Sequence, residues 1–209
     1  AGGLWDKYPV EQVATPEGYA RNPELVINFY NERRKQLLEV RPNDGHLGLA
    51  ELEADFNVTV VTQNIDNLHE RAGSRRIIHL HGELTKVCSS RDPYNPHYIK
   101  ELKPDEYEVK FGDKAGDGTQ LRPFIVWFGE PVPEIETAVN YVEKADIFVI
   151  IGTSMNVYPA AGLLNYVPRE AEVYLIDPKP VDVHSMRRIH VIQKGASEGV
   201  RELRSLLQP

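Results

Sequence analysis

The stretch Val58-Thr59-Val60-Val61-Thr62-Gln63-Asn64-Ile65-Asp66, continued by Ile77-Ile78-His79-Leu80-His81-Gly82, decides the fold of this chain. Val58 to Thr62 is a β-branched run, too short for a helix and suited to a buried strand. It turns at once into the polar set Gln63, Asn64 and Asp66. A short helix is expected beyond them, stopped by Gly73, a residue that accepts the positive φ of a C′ position. Ile77 to Leu80 is a second apolar run and leads directly into His81-Gly82. Polar groups at the carboxyl ends of buried strands are where open α/β sheets keep their ligands.

Outward from this stretch, helices and strands alternate. Asn22-Pro23-Glu24 reads as cap, first-turn proline and first-turn acid. It predicts a helix over 23–38 with Leu25, Val26, Phe29 and Leu37 inward. A second helix follows Pro42, carrying Leu47, Leu49, Leu52 and Phe56. Strands are expected at 124–128, 147–151, 173–176 and 190–193, with helices at 133–144, from Pro159-Ala160 onward and over 197–207. The alternation predicts an α/β fold, a Rossmann-like doubly wound parallel sheet with a small inserted lobe. Residues 85–122 form that lobe. They are polar and rich in turns such as Asp92-Pro93 and Gly116-Asp117-Gly118, and are expected to have little core of their own. Residues 1–84 and 123–209 are expected to form the main Rossmann-like domain.

A formal net charge of −7 argues against nucleic acid or an anionic membrane surface as a partner. The longest apolar runs, such as 147–151, are far too short to span a bilayer, and no signal peptide is visible, so a cytoplasmic protein is expected. The single cysteine, Cys88, permits neither an internal disulfide nor an all-cysteine zinc site, and no metal is expected. His79 and His81 form an H-x-H pair of the kind that binds metal in some hydrolases, but nothing nearby in sequence completes a ligand set.

The chemistry gathers at the strand ends. Gln63, Asn64 and Asp66 offer amide donors and acceptors plus one carboxylate, a set able to hold a sugar and a carboxamide. An imidazole with a free pKa of ~6.5 can accept a proton near neutrality. Gly82 lets backbone or ligand approach closely. Gly152-Thr153-Ser154 sits at a strand exit where small residues let N–H groups and hydroxyls reach a phosphate or ribose. Asp177 ends the next strand and reads either as a ribose acceptor or as a turn residue before Pro178. Tyr30 and Arg33, three apart, share one helix face.

Taken together, Thr62-Gln63-Asn64-Ile65-Asp66-Asn67-Leu68-His69, Ala72-Gly73 and His81-Gly82 resemble the central signature of the sirtuins, the NAD-dependent protein-lysine deacylases. The resemblance is closest to the bacterial desuccinylase and demalonylase class and covers nearly the whole chain. It implies NAD-dependent removal of succinyl, malonyl and also acetyl groups from acylated-lysine proteins, giving nicotinamide and O-acyl-ADP-ribose. In that scheme the substrate amide oxygen attacks the nicotinamide ribose carbon, and His81 then acts as general base on the ribose hydroxyl. The resemblance places Asn64 and Asp66 at the nicotinamide and ribose and Gln63 at the ribose near His81. Ile65, Gly152, Thr153, Ser154, Asp177 and Ala196 complete its NAD contacts. Val126, Phe128 and Gly129 match the edge that pairs with an extended substrate peptide, and Val157 the residue flanking that peptide from the other side. Trp127 reads equally well as core. Tyr30-x-x-Arg33 matches the pair that binds an acidic acyl carboxylate, for which a guanidinium fork is well suited.

Two departures from the family pattern stand out. The zinc-binding cysteine pairs are missing from 85–122, and the Gly-rich phosphate loop with its strand is expected before Ala1. The alternative reading of the same residues is a non-catalytic module that binds NAD or ADP-ribose without using His81.

Overall fold

The structure, a computed structural model, describes residues 7–152, 160–180 and 187–208. Two short helices, α1 (Val10–Val13) and α2 (Pro16–Arg21), lead into α3 (Pro23–Leu37). Asn22 caps α3 as its sequence predicts, its Oδ1 accepting from Leu25 N–H at 3.2 Å. The buried face differs from the expected stripe. It comprises Val26, Ile27, Phe29, Tyr30, Arg34 and Leu37, while Leu25 is half-buried.

Helix α4 (Asp44–Glu51) begins with a reciprocal cap between Asn43 and His46. Strands β1 (Val60–Thr62) and β2 (Ile77–His79) pair with each other. They run in the same direction, because Val60 N–H bonds Arg76 O and Leu80 N–H bonds Thr62 O, each at 2.9 Å. Helix α5 (Leu68–Ala72) connects them and closes before Gly73. Strand β3 (Gly82–Ser89) pairs antiparallel with β4 (Lys100–Glu101) and β5 (Leu121–Ile125). After α6 (Ile135–Val142), a parallel sheet of order β6-β7-β8 is built from β6 (Ile147–Ile151), β7 (Glu172–Ile176) and β8 (Ile189–Ile192). Helix α7 (Ala196–Leu207) follows. Among the described residues no helix is long and apolar enough to cross a membrane.

The chain divides into two compact units. The first is Ala1–Val40, Thr62–Asn67 and His79–Pro133; the second is Arg41–Val61, Leu68–Ile78 and Glu134–Pro209.

In the first unit, residues 85–122 do not stand apart with little core. Val87 and Val109 close a cluster with Ile27 of α3, and Tyr19, Leu102 and Leu121 pack against it. Polar side chains of α3 then fasten the segment. The Asn31 amide donates to Val109 O at 2.8 Å and accepts from Val109 N–H at 2.9 Å. Arg34, 4% exposed, donates to Leu84 O at 2.8 Å, to Tyr107 O at 3.2 Å and to Asn31 Oδ1 at 2.8 Å. Burial pulls its pKa down to about 10. Cys88 is fully buried against Pro123 O, and burial pushes its thiol up to about 12.

The second unit contains an apolar core layer. Ile176, Ile192, Val200 and Leu203 are buried together, with Leu49, Leu52, Val149, Ile151, Tyr174 and Leu207 around them. Helix α4 presents Gly45 and Gly48 to this layer, whereas Leu47 is 40% exposed. A Cβ on Gly48 would lie 2.7 Å from Val200 Cγ1, so glycine there sets how closely α4 and α7 approach.

Candidate active site

The segment from Thr62 to Ile65 is laced to the segment from His79 to Leu84. Leu80 N–H donates to Thr62 O at 2.9 Å and Leu84 N–H to Ile65 O at 2.8 Å. His79 Nδ1 is 3.0 Å from Asn64 O; because a carbonyl can only accept, this nitrogen carries the proton. Thr62 Oγ1 accepts from Asn64 N–H at 3.0 Å and turns the chain out of β1. His81 lies between the two tie points, and its own carbonyl accepts from Val126 N–H at 2.9 Å. The next residue, Gly82, has φ +89°, and a Cβ there would overlap the Phe124 carbonyl oxygen. The glycine is therefore demanded by the backbone of β5 rather than by a ligand.

The two histidines have different surroundings. His79 is 8% exposed, with Nε2 3.9 Å from Glu83 Oε1. The His81 ring is half-buried on a backbone fixed at both sides. Gln63, Ile65 and Asp66 are half-buried and Asn64 is exposed, so the polar set predicted from the sequence faces partly open space.

Arg33 of α3 is half-buried in the same unit. Burial lowers the pKa of its guanidinium, and Tyr30 and Asp66 oppose that shift, so Asp66 lies within electrostatic reach of Arg33. Tyr30 departs from its expected role as a ligand for an acyl carboxylate. It is 0% exposed, donates to Val13 O at 2.8 Å and accepts from Trp127 Nε1 at 3.1 Å. Burial pushes its phenol up to about 12. The hydroxyl is thus spent on the core, where sequence spacing alone suggested a shared site with Arg33.

The expected substrate edge also acquires a definite shape. Strand β5 ends at Ile125, so the residues expected to be strand at its far end instead form a turn. Val126 is half-buried, Trp127 is 2% exposed and therefore core, and Phe128 is 69% exposed beside an exposed Gly129. Phe128 N–H donates to Ala14 O at 3.0 Å. Val157 lies outside the described residues, as do Thr153 and Ser154.

In the second unit, Gly152 is exposed at the end of β6, its N–H donating to Ile176 O at 3.1 Å. Asp177 Oδ1 accepts from Lys179 N–H at 2.8 Å, which is the turn role weighed for it, and its second carboxylate oxygen has no partner among the described residues. Ala196 is the first residue of α7, whose N-terminus begins at Gly195 without a side-chain cap. Uncapped helix amides favour phosphate.

Taken by itself, the first unit offers amides, a carboxylate and an imidazole of the kinds that suit ribose and carboxamide. The second unit, by itself, offers the uncapped N-terminal amides of α7 and a strand-end acid. The sequence did not mark the ring of His79, which fixes the Asn64 carbonyl, nor the half-buried Asn31, the buried Arg34, the buried Arg122 and the half-buried Glu130. The pair Arg122-Pro123 ahead of an apolar run and the acid at Glu130 were the only signals of the last two.

The architecture is that of a Rossmann-like α/β protein. The sequence profile of the Sir2 family matches residues 1–159, and the chain belongs to that family. It is 85% identical over 209 residues to an NAD-dependent protein deacylase of Bacteroides thetaiotaomicron, covering 100% of this chain and 89% of that protein. An NAD-dependent protein deacylase of Helicobacter pylori (strain 26695) is 47% identical over 203 residues, covering 97% of this chain and 86% of that protein. Among solved structures, a Sir2 homologue in complex with NAD matches with TM-score 0.79 at 35% identity, over 99% of this chain and 82% of that one. A Sir2 complex with a p53 peptide and NAD+ matches with TM-score 0.71 at 26% identity, over 91% and 80%.

Proposed function

We propose that this chain removes acyl groups from protein lysines in an NAD-dependent reaction, with succinyl and malonyl groups favoured over acetyl. The observation that carries the reading is the lacing of Thr62–Ile65 to His79–Leu84. It fixes a half-buried His81 next to the segment bearing Gln63, Asn64 and Asp66. The deacylase relatives and the NAD-bound neighbour support it.

When bound, NAD supplies the electrophilic ribose carbon and the nicotinamide leaving group. Asn64 and Asp66 orient the ribose and carboxamide from the turn after β1. An imidazole nitrogen of His81 takes the proton of a ribose hydroxyl, which a positioned histidine does well near neutral pH. Val126, Phe128 and Gly129 hold an extended acyl-lysine peptide by main-chain bonds. Binding both substrates in one fixed geometry supplies much of the rate. Arg33 carries the acyl preference, since a carboxylate leaving water needs a partner of opposite charge. With Tyr30 bonded to Val13 and Trp127, the preference rests on the guanidinium.

The test is nicotinamide release by the full protein from NAD with matched succinyl-, malonyl- and acetyl-lysine peptides. Succinyl and malonyl peptides should turn over faster. Arg33→Met should cut succinyl turnover by about 30-fold more than acetyl turnover, the scale of one lost charged contact to a buried carboxylate. Equal losses on both would defeat the acyl assignment. NAD binding without turnover of any peptide would leave only a binding module.

A further inference from the structure

The turn from Trp127 to Glu130 is braced from beneath by two side chains that the proposed chemistry does not use, the buried Arg122 and the half-buried Glu130. Glu130 N–H donates to Trp127 O at 3.0 Å, closing a four-residue turn. Gly129 takes its third place with φ +91°, as a type II turn requires. Glu130 Oε1 also accepts from Trp127 N–H at 2.8 Å, so one carboxylate ties both ends of the turn.

Arg122 fixes that carboxylate. Its side chain is 4% exposed and meets both Glu130 oxygens at 3.0 Å. The same guanidinium donates to Ile125 O at 2.7 Å and to Pro123 O at 3.2 Å, and its carbon lies 3.8 Å from the centre of the Trp127 ring. Burial alone would lower the pKa of Arg122; the bond to Glu130 and the neighbouring Cys88 and Tyr94 more than offset it. Above this brace, Phe128 is 69% exposed. The Gly129 N–H and the Val126 and Phe128 carbonyls have no partner among the described residues.

A buried ion pair adds little stability over apolar side chains of the same volume, so stability alone does not account for one placed here. A forked guanidinium–carboxylate pair does fix orientation. We infer that Arg122 and Glu130 are positioning residues for the peptide substrate, holding the Val126–Gly129 backbone in the shape that pairs with an extended acyl-lysine chain. This rests on the reading of 126–129 as the peptide edge. Neither residue touches the reacting atoms; each acts through the turn.

The test is steady-state kinetics of the full protein with NAD and an acetyl-lysine peptide, comparing wild type, Arg122→Lys, Glu130→Gln and a stability control, Leu203→Ala, from the core of the other unit. Both positioning variants should raise the peptide KM about tenfold while kcat stays within about twofold and the KM for NAD is unchanged. Leu203→Ala should lower Tm and leave the peptide KM alone. Hydrogen exchange at the Trp127 and Glu130 amides should quicken in Arg122→Lys and Glu130→Gln. If Arg122→Lys does not fold, the isosteric Glu130→Gln carries the same comparison. A lower Tm with unchanged peptide KM, or a fall in kcat alone, overturns the positioning role while leaving the deacylase reading intact. A wild-type protein that turns over no acyl-lysine peptide removes that reading, and this inference with it.

Discussion

In the first unit an apolar cluster is joined by polar ties between distant segments. Asn31 and Arg34 reach from α3 to the backbone of Leu84, Tyr107 and Val109, and Arg122 grips the 127–130 turn. In the second unit the contact between α7 and the sheet is apolar, with α7 laying Val200 and Leu203 on Ile176 and Ile192 while α4 offers glycines to let it close. Polar ties there lie away from this layer, as where Arg187 donates to the Val167, Pro168 and Ala171 carbonyls. In the unit that carries the candidate imidazole, carboxylate and peptide edge, buried charged side chains fix the backbone around those groups. A forked guanidinium bond specifies orientation, whereas apolar layers tolerate repacking when total volume is kept.

This contrast can be broken or sharpened by substitution. The largest effect is expected at Arg34→Met, which removes three charge-assisted bonds and leaves the Leu84 and Tyr107 carbonyls buried, at a cost of about 4 kcal/mol. Urea unfolding followed by Trp127 fluorescence in a Trp5→Phe background would measure it. A neutral result would show that apolar contact, not polar ties, holds residues 85–122. Leu203→Ala should lose about 3 kcal/mol through a cavity in the apolar layer, read from the same kind of curve by circular dichroism. Asn31→Ala should lose about 2 kcal/mol, since Val109 forfeits both its donor and its acceptor.

The smallest effect is a pH dependence confined to the first unit. Burial raises Cys88 and Tyr30 to about 12. A raised folded pKa means the neutral form is favoured by folding, so their contribution is complete below the ordinary thiol and phenol values. It is lost as pH climbs from there toward 12. Trp127 fluorescence should report alkaline loss of stability over that window, and Cys88→Ala should shift its onset upward. Loss beginning below pH 8 would contradict the assignment.

These differences explain which parts were legible in the sequence. Periodicity exposed elements of the second unit, because α7 repeats its apolar residues at helical spacing and β7 carries the apolar run Val173 to Ile176. The cap at Asn22 and the stop before Gly73 were equally plain. The first unit was harder to read. Nothing in Tyr30-x-x-Arg33 shows that the tyrosine bonds Val13 and Trp127, residues far from it along the chain. Arg34 is likewise indistinguishable in sequence from its neighbour Arg33, yet one is a structural anchor and the other a half-buried charge near Asp66. The turn after β5 was expected to be strand because Val126-Trp127-Phe128 is apolar; the Glu130 carboxylate bends it. The strand exits at Gln63–Asp66 and His81 were foreseen because their polar residues interrupt apolar runs.

The most direct test of the account is NAD-dependent deacylation of an acyl-lysine peptide by the full protein, comparing wild type with His81→Ala at matched Tm. A fixed, half-buried imidazole acting as general base predicts a loss of at least about 100-fold in turnover with folding unchanged. Turnover retained at the wild-type rate would contradict the assignment of His81 and with it the site built around the laced strand ends.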